Sequence, residues 1–456
     1  MKKLLFSCLI LFSFSSPLWA LGPHEIILIA NSRSDDSMHV ANTYQHLRGV
    51  PEQNVIEVAV SMPSNGAPSI ITHDVFTRDI WDPVTKEIEK RGLTGQILAW
   101  VYSCDLPTTI ATDPQMSLMG ITFLRNTVPE SKVLRRGSYV SPLFAGPGRK
   151  KADVFGSQTF DLYKEWLGER MPIPSMMLGV TGKKGNTVKE ILKCMNRGIT
   201  SDYTAPSGNL YFVFIDDVRS RCREWQFERT AAELTAHGLR FVRLDREPGA
   251  AENVMGMFMG SRTVDPGRHQ FLPGGIAEHL TSYAGAFHRP TQTKLTEWIR
   301  AGATASAGTV TEPLAFWAKF PHARLYAHYA AGCTVMESFY QSIKCPLQIL
   351  IVGEPLASPW AERAELTING VGVGDVSGYL NLSAETSERT RYGKFTYILD
   401  GNVIHQGNRL ALDTRTLANG LHTLRVVAYR IGLVRNQVHQ ERSFRVRNLG
   451  DKSSSD

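Results

Sequence analysis

The chain is poor in cysteine, with 6 among 456 residues, and no two of them have CxxC spacing. Neither a zinc ribbon nor a thioredoxin-like redox pair is therefore encoded. Cys8 lies in a segment expected to be removed. The five that remain, Cys104, Cys194, Cys222, Cys333 and Cys345, are odd in number, which excludes a fully paired disulfide framework. No five like charges run together, and a formal net charge of +7 spread along the chain leaves no nucleic-acid footprint. Past the N-terminus no apolar stretch approaches the about 20 residues that cross a bilayer. The GxSxG elbow and the GxxxxGK[ST] phosphate loop are both missing, and no motif implies a cofactor. With 43% hydrophobic and 20% charged residues, the composition is that of a globular protein with a sizeable core.

What is present begins with Lys2-Lys3, an apolar stretch over residues 4–14 and a small residue, Ala20, after Leu18-Trp19. This is a secretory signal pattern. Residues 1–20 are expected to be cleaved, and the protein to be exported, periplasmic or secreted. From 21 to 360, short apolar runs alternate with helical patterns. Strands are expected at 25–31, 55–60, 95–103, 176–180, 210–215, 240–244, 254–259, 276–281, 303–310 and 347–352. Helices are expected at 37–48, 75–91, 115–125, 187–199, 224–237, 293–301 and 326–342. The alternation predicts an α/β domain, a parallel-rich sheet with helices on both faces, carrying an irregular insertion at about 105–175. A single helix over 326–342 would hold Cys333 and Cys345 about 18 Å apart, beyond disulfide reach. After Pro359 helical periodicity stops. Residues 361–447 show short alternating runs and an Asp400-Gly401 turn signal, which predict an immunoglobulin-like, all-β sandwich. Residues 448–456 are expected to be a disordered tail.

Open α/β sheets bind ligands beyond the carboxyl ends of their strands. The polar residues expected there are Cys104, Asp105 and Asp113, then Asp216 and Asp217, Ser261, Arg262 and Asp265, Ser282 and His288, and Glu312. All are expected along one edge. Ser282 ends a strand in a run of small residues and is a candidate nucleophile, with His288 as the base; alternation turns His279 to the opposite face. Cys104 is the alternative nucleophile, although Asp105 beside it opposes a thiolate. Asp113, Ser282 and Glu312 are expected to share one cleft, since Asp113 and Glu312 each precede a proline that favours an extended backbone. Asp113, Asp216 and Glu312 would suit a hard cation, but nothing in their spacing demands one.

The order of motifs is more specific than any one of them. Arg48-Gly49-Val50-Pro51, Asn54-Val55-Ile56 and Thr112-Asp113-Pro114 form a first part. Gly275-Ile276-Ala277-Glu278-His279-Leu280-Thr281-Ser282, Gly308-Thr309-Val310-Thr311-Glu312-Pro313 and Val352-Gly353-Glu354-Pro355-Leu356 form a second. Over residues 24–360 the chain resembles an uncharacterised family of exported bacterial proteins. More distantly it is similar to the gingipain-type cysteine peptidases, which end their catalytic domain in a glycine-acid-proline segment followed by an immunoglobulin-like domain. That resemblance implies a caspase-like (flavodoxin-like) α/β domain. It does not carry the thiol mechanism over. Ser282 stands at the turn where those peptidases have cysteine, and Gly260-Ser261-Arg262 stands where they have glycine and histidine. Two readings follow: a non-catalytic or degenerate envelope protein that binds a peptide or glycan, or a peptidase-like hydrolase using Ser282 or Cys104. Neither involves nucleic acid or a membrane span after signal cleavage.

Overall fold

The computed structural model describes residues 18–61, 70–146, 156–372 and 374–448. The expected signal segment up to residue 17 and the tail from 449 lie outside them. The α/β part holds ten strands in one sheet: β1 Ile26–Asn31, β2 Val55–Val58, β3 Ala99–Tyr102, β4 Ser175–Met177, β5 Asn209–Val213, β6 Arg240–Leu244, β7 Val254–Gly260, β8 Phe271–Leu280, β9 Ala305–Thr309 and β10 Ile349–Gly353. Their order across the sheet is β6-β5-β7-β8-β9-β10-β4-β3-β1-β2. The central strands are buried along their whole length, which is why they read as unbroken apolar runs.

The sheet is mixed rather than uniformly parallel. Within β6-β5-β7-β8-β9, and again within β4-β3-β1-β2, every pair is parallel, while β10 is antiparallel to β9 and meets β4 through one residue pair, Val352 with Met177. Thr309, the end of β9, lies opposite Ile349, the start of β10. The chain that leaves β9 wanders through two helices and re-enters the sheet from the edge it left, so it must run back. The loops that leave β4 and β8 meet, with Lys184 Nζ donating to the Pro290 carbonyl at 2.5 Å and Thr296 Oγ1 to the Lys184 carbonyl at 2.6 Å. The strands other than β10 therefore end along one edge, as expected, and β10 alone runs back from it.

Helices pack on both faces. Trp100 of β3 meets Trp81 at 5.3 Å between ring centroids, and Tyr102 hydrogen-bonds Thr122 of the helix Leu118–Phe123 at 2.7 Å. The next residue, Ser103, points the other way and donates to the Ser37 carbonyl of α1 (Asp35–Arg48) at 2.7 Å. Ser34 caps α1, and Gly49 closes it at φ 64, where a side chain would be strained. The long helix expected at 326–342 is broken. Gly332 sits at φ 94, and Thr334 then caps a new helix with Glu337, giving Leu325–Ala330 and Val335–Ser342. Cys333 and Cys345 remain unpaired, as do the other three described cysteines. The helix expected at 115–125 shrinks to Leu118–Phe123, behind a two-residue strand Met116–Ser117.

No apolar cluster among the described residues crosses the compositional break at Pro359: the two largest run from Leu21 to Ala357 and from Ala364 to Val446, with a smaller cluster on each side. The second lies between antiparallel sheets. One is built on Tyr392–Leu399, Asn402–Gln406, Gly420–Arg430 and Gln437–Val446, the other on Leu366–Asn369, Tyr379–Thr386 and Arg409–Asp413. Leu18–Trp19 pairs antiparallel with Val438 and Gln437 at the rim of the first. Among the described residues of this part the helical content is one short turn, Thr414–Thr416.

Two buried polar groups tie the architecture together. Arg48 donates to Glu354 through Nε (3.0 Å) and Nη2 (2.6 Å) and to Asp202 through Nη1, while Tyr44 donates to Glu354 at 2.8 Å. At the contact with the β-sandwich, the Glu25 carboxyl accepts from Gly22 N (2.8 Å), Gln437 Nε2 (2.7 Å) and Tyr429 OH (3.3 Å). Burial, helped by the Asp161 carboxylate, raises Glu25 from 4.5 to about 7.

Arg48→Ala leaves two buried carboxylates short of their cation, and urea unfolding should show a loss of about 3–5 kcal/mol; a loss under about 1 kcal/mol would contradict the role given to this network. Glu25 titrates higher in the folded chain than its ordinary 4.5. Its contribution is whole below that value and is lost as pH rises from 4.5 to 7. The stability of the wild type relative to Glu25→Gln should then fall by up to about 3 kcal/mol across that window. A pH-independent difference would show that Glu25 is ionised in the fold.

Candidate functional site

Ser282 follows β8 and is nearly buried. Its hydroxyl donates to Glu312 Oε1 at 3.3 Å, and the same oxygen accepts the Leu314 amide at 2.9 Å. Glu312 itself is exposed. Around this pair the backbone is fixed by polar side chains. Gln292 Oε1 accepts from Thr281 Oγ1 (2.6 Å) and Tyr283 N (3.0 Å), and Lys294 Nζ donates to the Tyr283 carbonyl at 2.6 Å. Burial, then the charge of Lys184, pushes Lys294 down to about 8. Burial and the neighbouring Glu312 carboxylate raise the Tyr283 phenol.

The small residues after Ser282 do not open a path for a ligand. A Cβ on Gly308 would stand 2.5 Å from that of Ala284, and one on Gly285 would stand 2.5 Å from the Gly308 carbonyl oxygen. The run is small because it packs against the backbone of β9.

Neither histidine serves Ser282. His279 is buried, with Nε2 donating to the Ser261 carbonyl at 2.9 Å and Nδ1 accepting Trp298 Nε1 at 3.4 Å. Burial lowers it to about 4, so it is neutral in the fold. His288 is exposed. Among the described residues it makes no hydrogen bond to Ser282. Burial and the Arg289 and Lys294 cations lower it below its ordinary value.

Asp113 is drawn aside. Both its oxygens accept from Arg135 Nη2, at 2.7 and 2.8 Å, in an exposed pair. Its segment does reach the edge that holds Glu312: Gln348 binds the Gln115 carbonyl at 3.0 Å, and Val310 N donates to the Gln348 carbonyl at 3.0 Å. Asp216 pairs with Arg221, and Asp217 caps the turn that begins at Val218. No group of three or more metal-ligating side chains assembles among the described residues.

Cys104 follows β3 and is fully buried. Burial, with the Asp105 and Asp36 carboxylates, pushes its thiol far above the ordinary range. Asp105 accepts from Ser34 Oγ at 2.5 Å and from Thr181 Oγ1, while its carbonyl accepts Asn31 Nδ2 at 2.8 Å. It latches three strand ends together and has no oxygen to spare for a ligand.

Two features were not singled out from the sequence. A cleft of about 280 Å³ is lined by Trp81, Trp100 and Ile97 and by the charged Glu89, Glu169, Arg125 and Lys164. An aromatic group sits beside Glu312. Trp317 meets Trp225 edge-to-face at 5.4 Å and Phe144 at 6.3 Å, and Trp225, Leu314 and Phe316 are 52%, 55% and 41% exposed. Leu314 stands at φ 58, a region an aliphatic side chain rarely adopts. The only sequence signal was an apolar stretch, Leu314 to Trp317, directly after a strand end and without helical or strand period.

No protein-family model matches the chain, and no curated protein matches it. Among solved structures, the fibronectin(III)-like modules of Clostridium thermocellum CbhA align at 15% identity over 23% of this chain and 53% of theirs, with a TM-score of 0.15. The Clostridium perfringens spore cortex lytic enzyme SleM aligns at 8% identity over 85% and 100%, with a TM-score of 0.19. An endo-beta-1,4-mannanase from Thermotoga petrophila aligns at 12% over 93% and 79%, with a TM-score of 0.16. Likeness at this level carries no argument about fold or activity.

The burial of the thiols sets an expectation. Of the five described cysteines, only Cys222 is partly exposed. Ellman's reagent at pH 8 should react with that thiol alone in the native protein and with all five after unfolding. Rapid native reaction at Cys104 would restore it as a candidate nucleophile.

Proposed function

We propose that this is an exported envelope protein whose α/β domain, caspase-like in type but without a working nucleophile, binds a peptide or glycan and does not turn it over. The β-sandwich, read as immunoglobulin-like, anchors or presents it. One observation carries the reading: Glu312 Oε1 takes the Ser282 hydroxyl and the Leu314 amide together. A general base needs a free lone pair directed at the hydroxyl proton and a means of passing that proton on. Glu312 Oε1 faces the hydroxyl but also holds the Leu314 amide, and no histidine stands behind it to pass a proton on, since the one nearest in sequence is bound to Ser261 and Trp298. Cys104 has neither access nor a cation.

The hydrolase reading retains one supporting fact, the 3.3 Å separation of Ser282 and Glu312. A fluorophosphonate probe separates the two. The binding reading predicts no labelling of Ser282 in the native full chain. Stoichiometric labelling that disappears in Ser282→Ala would establish a serine hydrolase.

A further inference from the structure

We infer that removal of the signal segment after Ala20 builds an ion pair where the two domains meet, between the new Leu21 α-ammonium and the buried Glu25 carboxylate. The inference rests on the exported reading and adds a consequence of maturation to it. Cleavage adds water across the Ala20–Leu21 peptide bond. The carboxylate leaves with the signal segment, and the amine stays on Leu21, largely protonated at neutral pH because its ordinary pKa is about 8.

The chain on the mature side of the cut is firmly seated. Ala20 and Leu21 are buried, and Leu21 belongs to the apolar core of the α/β domain. Gly22 is in close contact with both domains: a Cβ there would stand 2.5 Å from Gln437 Oε1 of the β-sandwich and 2.8 Å from the His24 ring. The turn Pro23–Glu25, closed by Glu25 N on the Gly22 carbonyl at 3.0 Å, folds the Glu25 side chain back onto Gly22 N at 2.8 Å. Consecutive backbone nitrogens are at most about 3.7 Å apart, so Leu21 N lies within about 6.5 Å of Glu25 Oε2. Gln437 Nε2 marks the same spot from the other domain, reaching the Ala20 carbonyl at 2.8 Å and Glu25 Oε2 at 2.7 Å.

Glu25 is short of a cation. Its oxygens accept from Gly22, Gln437 and Tyr429. Among the described residues the one basic side chain within 4 Å of it is His24, at 3.8 Å, and burial with the nearby Arg425 keeps that imidazole neutral. Arg435 is held by Asp161 and Glu165, and Lys394 lies beside Glu165. Asp161 opposes a charge on Glu25 more than Lys394 favours it. A buried carboxylate with three donors and no cation is completed by an ammonium within reach. Opposite charges about 4–6 Å apart move a pKa by about 1–3 pH units. The ammonium brings Glu25 down from about 7 toward its ordinary value, and the carboxylate raises the amine. The loss of Glu25 stability between pH 4.5 and 7 given above therefore belongs to the chain that keeps residues 18–20.

Cleavage gives up the pairing of Leu18–Trp19 with Val438 and Gln437, and the bond from Gln437 to the Ala20 carbonyl. The ion pair takes their place. Tyr429 and Gln437 lie on β-sandwich strands, so an ionised Glu25 grips that domain through charge-assisted hydrogen bonds. The two domains thus lock on each other after processing.

The test uses the exported protein, its Glu25→Gln variant and a chain that starts at residue 18. Competitive labelling with acetic anhydride from about pH 6 to 10, read on the N-terminal peptide by mass spectrometry, gives the start of the chain and the pKa of its α-amine together. Leu21 should head the exported protein, with an α-amine at least about one pH unit above the ordinary 8, and Glu25→Gln should return it to that value. In the chain from residue 18 the amine should titrate near about 8 with or without Glu25. A Leu21 amine at its ordinary value would overturn the pair and leave the exported reading standing, and that measurement decides even if the variant does not fold. A raised amine that a folded Glu25→Gln leaves unmoved would overturn Glu25 as its partner. An exported protein that starts at another residue would overturn the cut, and with it the pair. Failure to be exported, with residues 1–20 retained, would overturn the exported reading and the pair together.

Discussion

A single buried guanidinium sets the frame of this protein. Arg48 ends the first helix, and Glu354 follows the last strand of the large sheet, 306 residues later in the chain. They meet in a two-pronged pair, with Asp202 on the third nitrogen and Tyr44 on the same carboxylate. Charges this deep are tolerated only where every partner is present. The pair therefore registers the first helix, the end of the helix Val188–Ser201 and the end of β10 against one another. The Gly49 carbonyl, one residue on, accepts Arg425 of the β-sandwich at 2.5 Å, so the same corner also seats the second core on the first.

With the carboxyl end of β10 held at that corner, its amino end falls beside the end of β9, and the two strands must oppose each other. That reversal puts Glu354 and its Arg48 partner at the edge opposite the other strand ends. Cys104 and Asp105 lie at the Ser34 end of the first helix, a helix length from Arg48. Ser282 and Glu312 belong to the far edge, with the aromatic group. The two groups share the edge where the loops after β4 and β8 meet, yet each is satisfied by its own partners.

Much of this was legible in the sequence. The apolar runs became strands, the glycine stops became helix ends, and the loss of periodicity after Pro359 marked a second core. Arg48 and Glu354 stood out as parts of separate motifs, but nothing in either motif said that they touch, because pairing across 306 residues depends on the path of the whole chain. Strand direction was hidden for the same reason: an apolar run buried on both faces reads alike in either orientation. The break in the helix at Gly332 was overlooked because the residues on both sides keep a helical pattern. At the candidate site, Ser282 and Glu312 did come together, while Asp113 was diverted by Arg135, an exposed partner that no local pattern reveals. The small residues after Ser282 drew notice for the wrong reason, since they make room for β9.

Function in this account depends on what Glu312 does with its carboxylate. As a base for Ser282 it would be free to accept a proton. As a brace it is bound to the Leu314 amide and presents the apolar surface beside it. Amide hydrogen exchange at Leu314, measured residue by residue in the wild type and in Glu312→Ala, decides between these roles. The account predicts a protected Leu314 amide in the wild type that exchanges about tenfold or more faster in the variant, with the β8 and β9 amides unchanged. Equal exchange at Leu314 in the two proteins would contradict it.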